Sequence, residues 1–343
     1  MSFSIYHSQA GQPRFHQLAK TVRVLAAIVR DPVTLVRAWQ VNQKHDLPRR
    51  FGLHGAAMAL KPYRPFGCAH WSPATKLERI AAHFAILDAL GGMIAPERGA
   101  PRRLMSLPSI NPDLWLAIDE PAVMMQDGLA VLSLMHGESR IFQITFTLAE
   151  AGNGMEAYVG GIQGRAGELD LYRDLTKACH GLRPRDLMID LFRFFCAELG
   201  VRRVHAIAES ATYHSDPYFG AHPYQTARMN YDEIWVDRNA TKIDGAWFQL
   251  PMQSQHRDPE DIPARKRSLY RRRYAMLDGL RLAMGEAVAM NIPGAVELRA
   301  ATLRREATPP HLVHQRLRAP SPAHLRENAP ALSSPKPSRV AAR

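Results

Sequence analysis

Apolar residues recur every three to four positions over the first ninety residues and every second position after about residue 104, so the chain predicts a helical layer followed by a sheet. Phe15 to Val41 reads as two short amphipathic helices broken near Asp31-Pro32. Ser72-Pro73 to Leu90 is a second helical region, with Leu77, Ile80, Ala81, Phe84 and Leu87 on one face and Gly91-Gly92 closing it. Between them, Lys61-Pro62-Tyr63-Arg64-Pro65 must be extended or turned, because the residue before a proline avoids the helical region. Strand-like runs follow at Gly128–Leu134, Ile141–Leu148 and Glu156–Ile162. The short turn segments 136–139 and 151–154 join them as an antiparallel meander.

The stretch from Glu156 to Ala208 organises the rest. It reads as strand, glycine-rich loop (Gly160-Gly161-Ile162-Gln163-Gly164, then Gly167), short helix, basic turn, long apolar helix and buried strand. The short helix spans about Glu168 to His180 and stops at Gly181. Pro184 opens the next helix, which is apolar on most of its surface (Leu187, Met188, Ile189, Leu191, Phe192, Phe194, Phe195, Leu199). Its polar residues, Asp186, Asp190 and Arg193, form a narrow stripe. Gly200 ends it, and Val201–Ala208 continues as strand. Tyr231–Asp237 and Ala246–Leu250 read as two further strands, and Ile262–Ala287 as a terminal basic helix.

The 343 residues, 46% of them hydrophobic, can bury a real core. No signal peptide and no run of about 20 apolar residues is visible, which predicts a cytoplasmic protein without a transmembrane segment. Cys68, Cys179 and Cys196 are odd in number and far apart, and read as buried, reduced thiols. The net charge is +12, and half of it lies in residues 292–343, which hold eight Arg and one Lys against three Glu, with eight prolines. That composition predicts disorder from 288 to 343, as a solubilising extension or an arm that touches nucleic acid or anionic lipid.

Glycines between a strand and a helix let backbone N–H groups approach an anion, and Arg173, Lys177 and His180 project from one face of the following helix beside Arg183 and Arg185. The same features serve equally as a tight packing turn with a solvated basic face. Glu209, Tyr213 and His214 lie just past the 201–208 strand, where pockets form at strand ends. The densest charge in the folded region is Arg265, Lys266, Arg267, Arg271, Arg272 and Arg273, on a helix whose Leu269, Tyr270, Tyr274, Leu277 and Leu280 form an apolar face. It either docks with its arginines in water or meets an anionic partner: RNA, a membrane surface or an acidic protein. No HExxH, CxxC or HxH spacing appears among the fifteen histidines and three cysteines, so no metal site is expected. Neither a GxSxG elbow nor a GxxxxGK[ST] loop is present.

The stretches KPYRPF, TKLERIAAHFAIL, FQITFTL, AYVGGIQGRAG, TKACHGLRPRDLMIDLF, MNYDEIWVD and KRSLYRRRYAMLDGL, in this order, resemble the VirK/YbjX family, carriers of the DUF535 domain in Gram-negative bacteria. The resemblance covers about Val29 to Leu280, which divides the chain into an extension (1–28), the domain (29–287) and the tail (288–343). It implies a link to virulence, envelope properties and stress responses, and no reaction or catalytic residue. The order of meander, glycine turn, helix and strand is also similar to that of GNAT-type acyltransferases, although the usual Q/R-x-x-G-x-G/A spacing is not kept at Gln163–Gly167. That analogy implies acyl-CoA as cofactor, held by Gly161, Gln163, Gly164 and Gly167 and neutralised by Arg173 and Lys177, with Glu209 or His214 as general base. The expected fold is α+β: a helical N-terminal layer, a central, mainly antiparallel sheet with GNAT-like order, and a basic C-terminal helix.

Overall fold

A computed structural model describes residues 14–44, 56–91, 94, 101–119, 126–152, 154–219, 230–253 and 256–307. The N-terminal layer comprises α1 (Arg14–Arg30), α2 (Pro32–Lys44), α3 (Ala56–Leu60) and α4 (Pro73–Ala89). Ser72 caps α4 by accepting a hydrogen bond from Thr75 N–H, and Pro73 occupies the first turn, where its missing N–H costs nothing. Among the described residues eight strands form one sheet: β1 (Arg102–Ser106), β2 (Leu114–Asp119), β3 (Ala130–His136), β4 (Ser139–Ala151), β5 (Gly154–Gly164), β6 (Val201–Ile207), β7 (Thr241–Lys242) and β8 (Trp247–Leu250). Their order is β1-β2-β3-β4-β5-β6-β8-β7, and every pair is antiparallel except β5–β6. A parallel pair needs a long crossover, supplied here by α5 (Leu169–Ala178) and α6 (Pro184–Glu198).

Both faces of the sheet are buried, but they differ in chemistry. On β4, Phe142, Ile144, Phe146 and Leu148 alternate with Gln143, Thr145 and Thr147. Helix α6 packs on the first set, with the Phe192 and Phe195 rings 5.1 and 6.2 Å from Phe146. Two of the three residues of its expected polar stripe are buried too: Asp190 and Arg193 pair at 3.1 Å, Arg238 joins Asp190, and Arg193 donates to the Arg238 carbonyl at 2.8 Å, while Asp186 is half-buried and pairs with Arg185. The opposite face carries Tyr158, Glu156 and His205, over which Trp71 and the α4 residue Arg79 lie.

Three expectations are corrected. Tyr231–Val236 is a helix, α7, because the Asn230 side chain accepts from Glu233 N–H at 3.3 Å and Asp232 and Glu233 favour the positive helix start. Gly160 to Gly164 is not loop but the end of β5, held by ladder bonds to β4. The folded part does not end at 287: α8 (Ala264–Asn291) runs on, and α9 (Pro293–Ala307) follows where composition predicts disorder. Ile292 and Ala295 are fully buried, and a side chain at Gly294 would meet Ala89 O at 2.6 Å, so this segment is anchored by contact and not by charge balance. The remainder of the proline-rich tail, and most of the 1–28 extension's first half, lie outside the described residues. Cys68, Cys179 and Cys196 are buried free thiols. Among the described residues no helix is long and apolar enough to cross a membrane.

Candidate functional site

Strands β5 and β6 pair from Met155–Val201 to Val159–Ala206 and then part, since β6 ends at Ile207 while β5 continues to Gly164. A bulge marks the point of separation. Val159 pairs with Phe146 and Gly161 with Thr145, so Gly160 is the extra residue. A Cβ there would lie 1.9 Å from Asp127 O, which only glycine avoids. Among the described residues β5 has no ladder partner on its β6 side beyond the bulge, and side chains from neighbouring segments gather there.

Helix α7 supplies two of them. Trp235 Nε1 donates to Ile207 O at 2.8 Å, closing the end of β6, and Tyr231 stacks on Trp235 with ring planes 7° apart. The Tyr231 hydroxyl is hydrogen-bonded to the Ile162 backbone of β5. Burial, with the nearby Asp127 and Glu209 carboxyls, pushes its pKa well above the phenol range, so the phenol keeps its proton. Burial likewise raises the Asp127 carboxyl well above its usual range. From the turns after β6, Glu209 Oε2 accepts from Tyr231 N–H at 3.4 Å, while the Glu209 N–H donates to Asp232 Oδ1 at 2.8 Å. His214 packs on Tyr213 at 3.9 Å, and burial lowers its pKa, leaving a neutral imidazole at pH 7.

The Lys61–Trp71 segment borders the same end of the sheet. Gly67 N–H bonds to Gln126 O at 2.7 Å and Ala69 N–H to Ala211 O at 2.9 Å. Lys76 Nζ donates to Arg64 O and to Asp216 Oδ2, both at 3.0 Å. Lys61 is buried beside Lys76 and Arg64, and desolvation, then those two charges, lowers its pKa to about 7.

The residues singled out from sequence fall into three groups. Glu209 and His214 lie on successive turns past β6, and Glu209 reaches the Tyr231 backbone. Gly161, Gln163 and Gly164 are strand residues opposite Thr145, Gln143 and Phe142, and Gly167 turns the chain with φ of +86° before α5. Arg173 and Lys177 are exposed and pair within their own helix, with Asp170 at 2.8 Å and Asp174 at 3.0 Å. On α8, Arg271 and Arg272 are exposed, whereas Arg267 donates to Ile262 O at 3.1 Å. Arg273 donates twice to His180 O, at 3.1 and 2.8 Å, tying α8 to the turn after α5.

Sequence reading missed a second cluster, at the other end of the parallel pair. Glu156 accepts from Tyr158 at 2.8 Å and pairs with Arg203, with His205 Nε2 at 3.2 Å. Burial opposes the Glu156 charge, but the Tyr158 hydrogen bond, His205 and Arg203 outweigh it and hold the carboxyl below its usual range. Glu156, Arg202 and Arg203 line a cavity of about 220 Å³ with Ala151 and Gly154. Its signal was present: polar residues at alternate positions on two adjacent strands, Glu156 and Tyr158 on one and Arg203 and His205 on the other. Among the described residues no three His, Cys, Asp or Glu side chains converge as metal ligands would.

The model of the family described as "Protein of unknown function (DUF535)" matches residues 13–286, and the chain belongs to that family. An uncharacterized protein of Haemophilus influenzae is 29% identical over 188 residues, 54% of this chain and 61% of the relative. The uncharacterized protein YbjX of Escherichia coli is 28% identical over 244 residues, 66% of this chain and 71% of that one. A Mannheimia haemolytica protein described as membrane protein LapB is 34% identical over 102 residues, 28% of this chain and 42% of the relative. The match thus spans less than two thirds of the first and last of these. No solved structure is significantly similar.

Proposed function

We propose that this DUF535 protein transfers an acyl group from an acyl-CoA-class thioester bound where β5 and β6 part. The observation that supports it is the bulge at Gly160, after which the described β5–β6 ladder stops and the Tyr231 side chain meets the Ile162 backbone, with Glu209 and Asp127 nearby. A pantetheine arm carries amides and can pair with such an edge as an added strand would. The reading borrows the GNAT-like analogy for the order of meander, helices and parallel strand, an analogy at the level of fold alone. In this reading Glu209 or the neutral His214 takes the proton of the attacking nucleophile and the same base returns it to the departing thiolate, while the Tyr231 phenol, which keeps its proton, positions the thioester. Residues 164–167, at the start of α5, are the reading's site for the diphosphate, with Glu168 and Asp170 opposing its charge.

The test is thermal stability of the full chain with acetyl-CoA and longer acyl-CoAs, followed by release of free thiol. Saturation at a hundred times Kd stabilises by about 2.7 kcal/mol. A dose-dependent rise with thiol release that Tyr231→Phe slows supports the reading, and no rise with any acyl-CoA removes it.

A second reading makes the protein a stress-response, virulence or envelope accessory factor that acts through a basic surface. The exposed Arg265, Lys266, Arg271 and Arg272, all near the start of α8, favour it. RNA binding there would fall steeply with salt and weaken in Arg271→Gln/Arg272→Gln, without affecting acyl-CoA.

A further inference from the structure

The N-terminal helices are amphipathic in the wrong sense for a globular protein. Helix α2 buries Thr34, Ala38 and Asn42, small or polar residues four apart, while Val33, Val36 and Trp39 are 57, 58 and 50% exposed. Helix α1 exposes Leu18, Val22, Leu25 and Val29, the last at 80%. The four positions of α1 are spaced four, three and four and the three of α2 three and three, a helical stripe on each. The two are joined by Asp31 alone, whose N–H still reaches Ala27 O at 3.1 Å. Of the thirteen large hydrophobic residues exposed among the described residues, these seven lie on this one element. Scattered exposed leucines need no explanation, but a stripe on each of two successive helices does.

Charge indicates what meets it. Residues 14–44 contain six Lys and Arg against one acid, Asp31. The Asp31 carboxylate is engaged in capping α2, accepting from Thr34 N–H at 3.1 Å and Thr34 Oγ1 at 2.6 Å. Arg30, Arg37 and Lys44 are exposed on the same two helices. A second copy docked on this face would bring like charges together, so the arrangement disfavours self-association. Exposed valines and leucines with a tryptophan, bordered by cations, are the composition of a helix that lies in the interface of an anionic bilayer. On its inner side the element is fixed to the body: Arg23 donates to Tyr218 O at 2.8 Å, and Lys20 sits over the Tyr218 and Phe219 rings.

We propose that α1 and α2 seat this protein on the surface of a membrane rich in anionic lipid, with Leu18, Val22, Leu25, Val29, Val33, Val36 and Trp39 entering the headgroup–acyl boundary. This face is separate from the arginine-bearing start of α8, and its seating does not depend on acyl transfer.

The experiment is co-sedimentation of the full chain with vesicles of phosphatidylcholine alone and of phosphatidylcholine with phosphatidylglycerol at 7:3, in low and high salt. Binding is expected to the anionic vesicles and to weaken with salt. Val29→Glu/Val33→Glu, at exposed sites that leave folding intact by thermal melt, is expected to lower partitioning at least tenfold. Arg30→Gln/Arg37→Gln is expected to lower it about twenty-five-fold, two charges near the surface at roughly a factor of five each. Absence of binding to anionic vesicles in low salt overturns the proposal. So does binding that Val29→Glu/Val33→Glu leaves unchanged, or that Arg271→Gln/Arg272→Gln alone abolishes, since a different surface is then responsible. A dimer that Val29→Glu/Val33→Glu converts to monomer, with no vesicle binding, assigns the stripe to a second copy and also overturns it.

Discussion

Lys61 gives the most direct test of how the site's border is built. The ammonium is buried at 8% exposure, 4.4 Å from the Phe66 ring centre, with Lys76 and Arg64 nearby. Desolvation, then those two cations, brings its pKa from 10.5 to about 7. The folded chain therefore releases this proton at a lower pH than the unfolded chain does. Below pH 7 both states are charged and the fold bears the whole cost of burial; between pH 7 and 10.5 the unfolded state binds more protons, so stability rises with pH. Each factor of ten in proton affinity is worth about 1.4 kcal/mol, and between pH 6.5 and 8.5 the gain comes to about 2 kcal/mol. For a domain of this size that is a rise of about 4–8 °C in Tm. Lys61→Met keeps an unbranched stem against Phe66 and has no proton to lose. The assay is urea or thermal unfolding of both proteins at half-unit steps of pH. Buried histidines such as His83 and the three raised thiols titrate in both proteins and cancel in the difference. The expected result is a stability difference that moves by about 2 kcal/mol in favour of the parent chain as pH climbs. Parallel curves would show that Lys61 is not a buried cation, and the account of this segment would fail.

Other outcomes follow from single contacts. Gly160→Ala places a methyl into Asp127 O, a backbone atom with no room to yield, and should cost about 3 kcal/mol or more in chemical denaturation while disturbing the bulge. Asp190→Ala strands Arg193 and Arg238 side by side in the core and should cost about 3–5 kcal/mol; an unchanged melt would mean that water reaches them. Arg173→Ala and Lys177→Ala, which break exposed pairs within one helix, should change stability by under 1 kcal/mol, and acyl-CoA binding that survives both would locate the phosphate contacts elsewhere.

The helical start, the meander and the two crossover helices were legible because each has a clean period and a matching stop signal. Gly181 and Gly200, both at positive φ, end α5 and α6 where the sequence places their caps. What misled was local ambiguity. Tyr231-Asp-Glu-Ile-Trp-Val has the aromatic and branched residues of a strand, and its helical signal is Asn230 followed three residues later by Glu233, a cap of only one hydrogen bond. The tertiary contact decides the case: Trp235 reaches Ile207 O only from a helix laid across the end of β6. The glycine run misled for the opposite reason. Glycines before a helix suggest a phosphate loop, but Gly160 is required by the close approach of Asp127 O, a contact between residues 33 apart that no local pattern encodes.

These two surprises are physically linked, and the link gives the candidate site its character. Without a side chain at Gly160, β5 bulges and leaves β6, so the backbone beyond Val159 must find partners other than a strand. Helix α7 meets part of that need by bringing Tyr231 to the Ile162 backbone and Trp235 to Ile207. A strand at 231–237 would have continued the sheet and buried the same edge. A short helix instead ends it with a phenol and, through the Tyr231 N–H, orients Glu209. An edge held open by side chains can exchange them for a ligand's amides, whereas an edge closed by a ladder cannot. Tyr231→Phe, which removes one hydroxyl from that edge, should therefore cost little more than the roughly 1 kcal/mol of a single hydrogen bond in stability while changing any ligand response far more. A large loss of stability with no effect on acyl-CoA would make Tyr231 a structural plug and leave the split between β5 and β6 as packing alone.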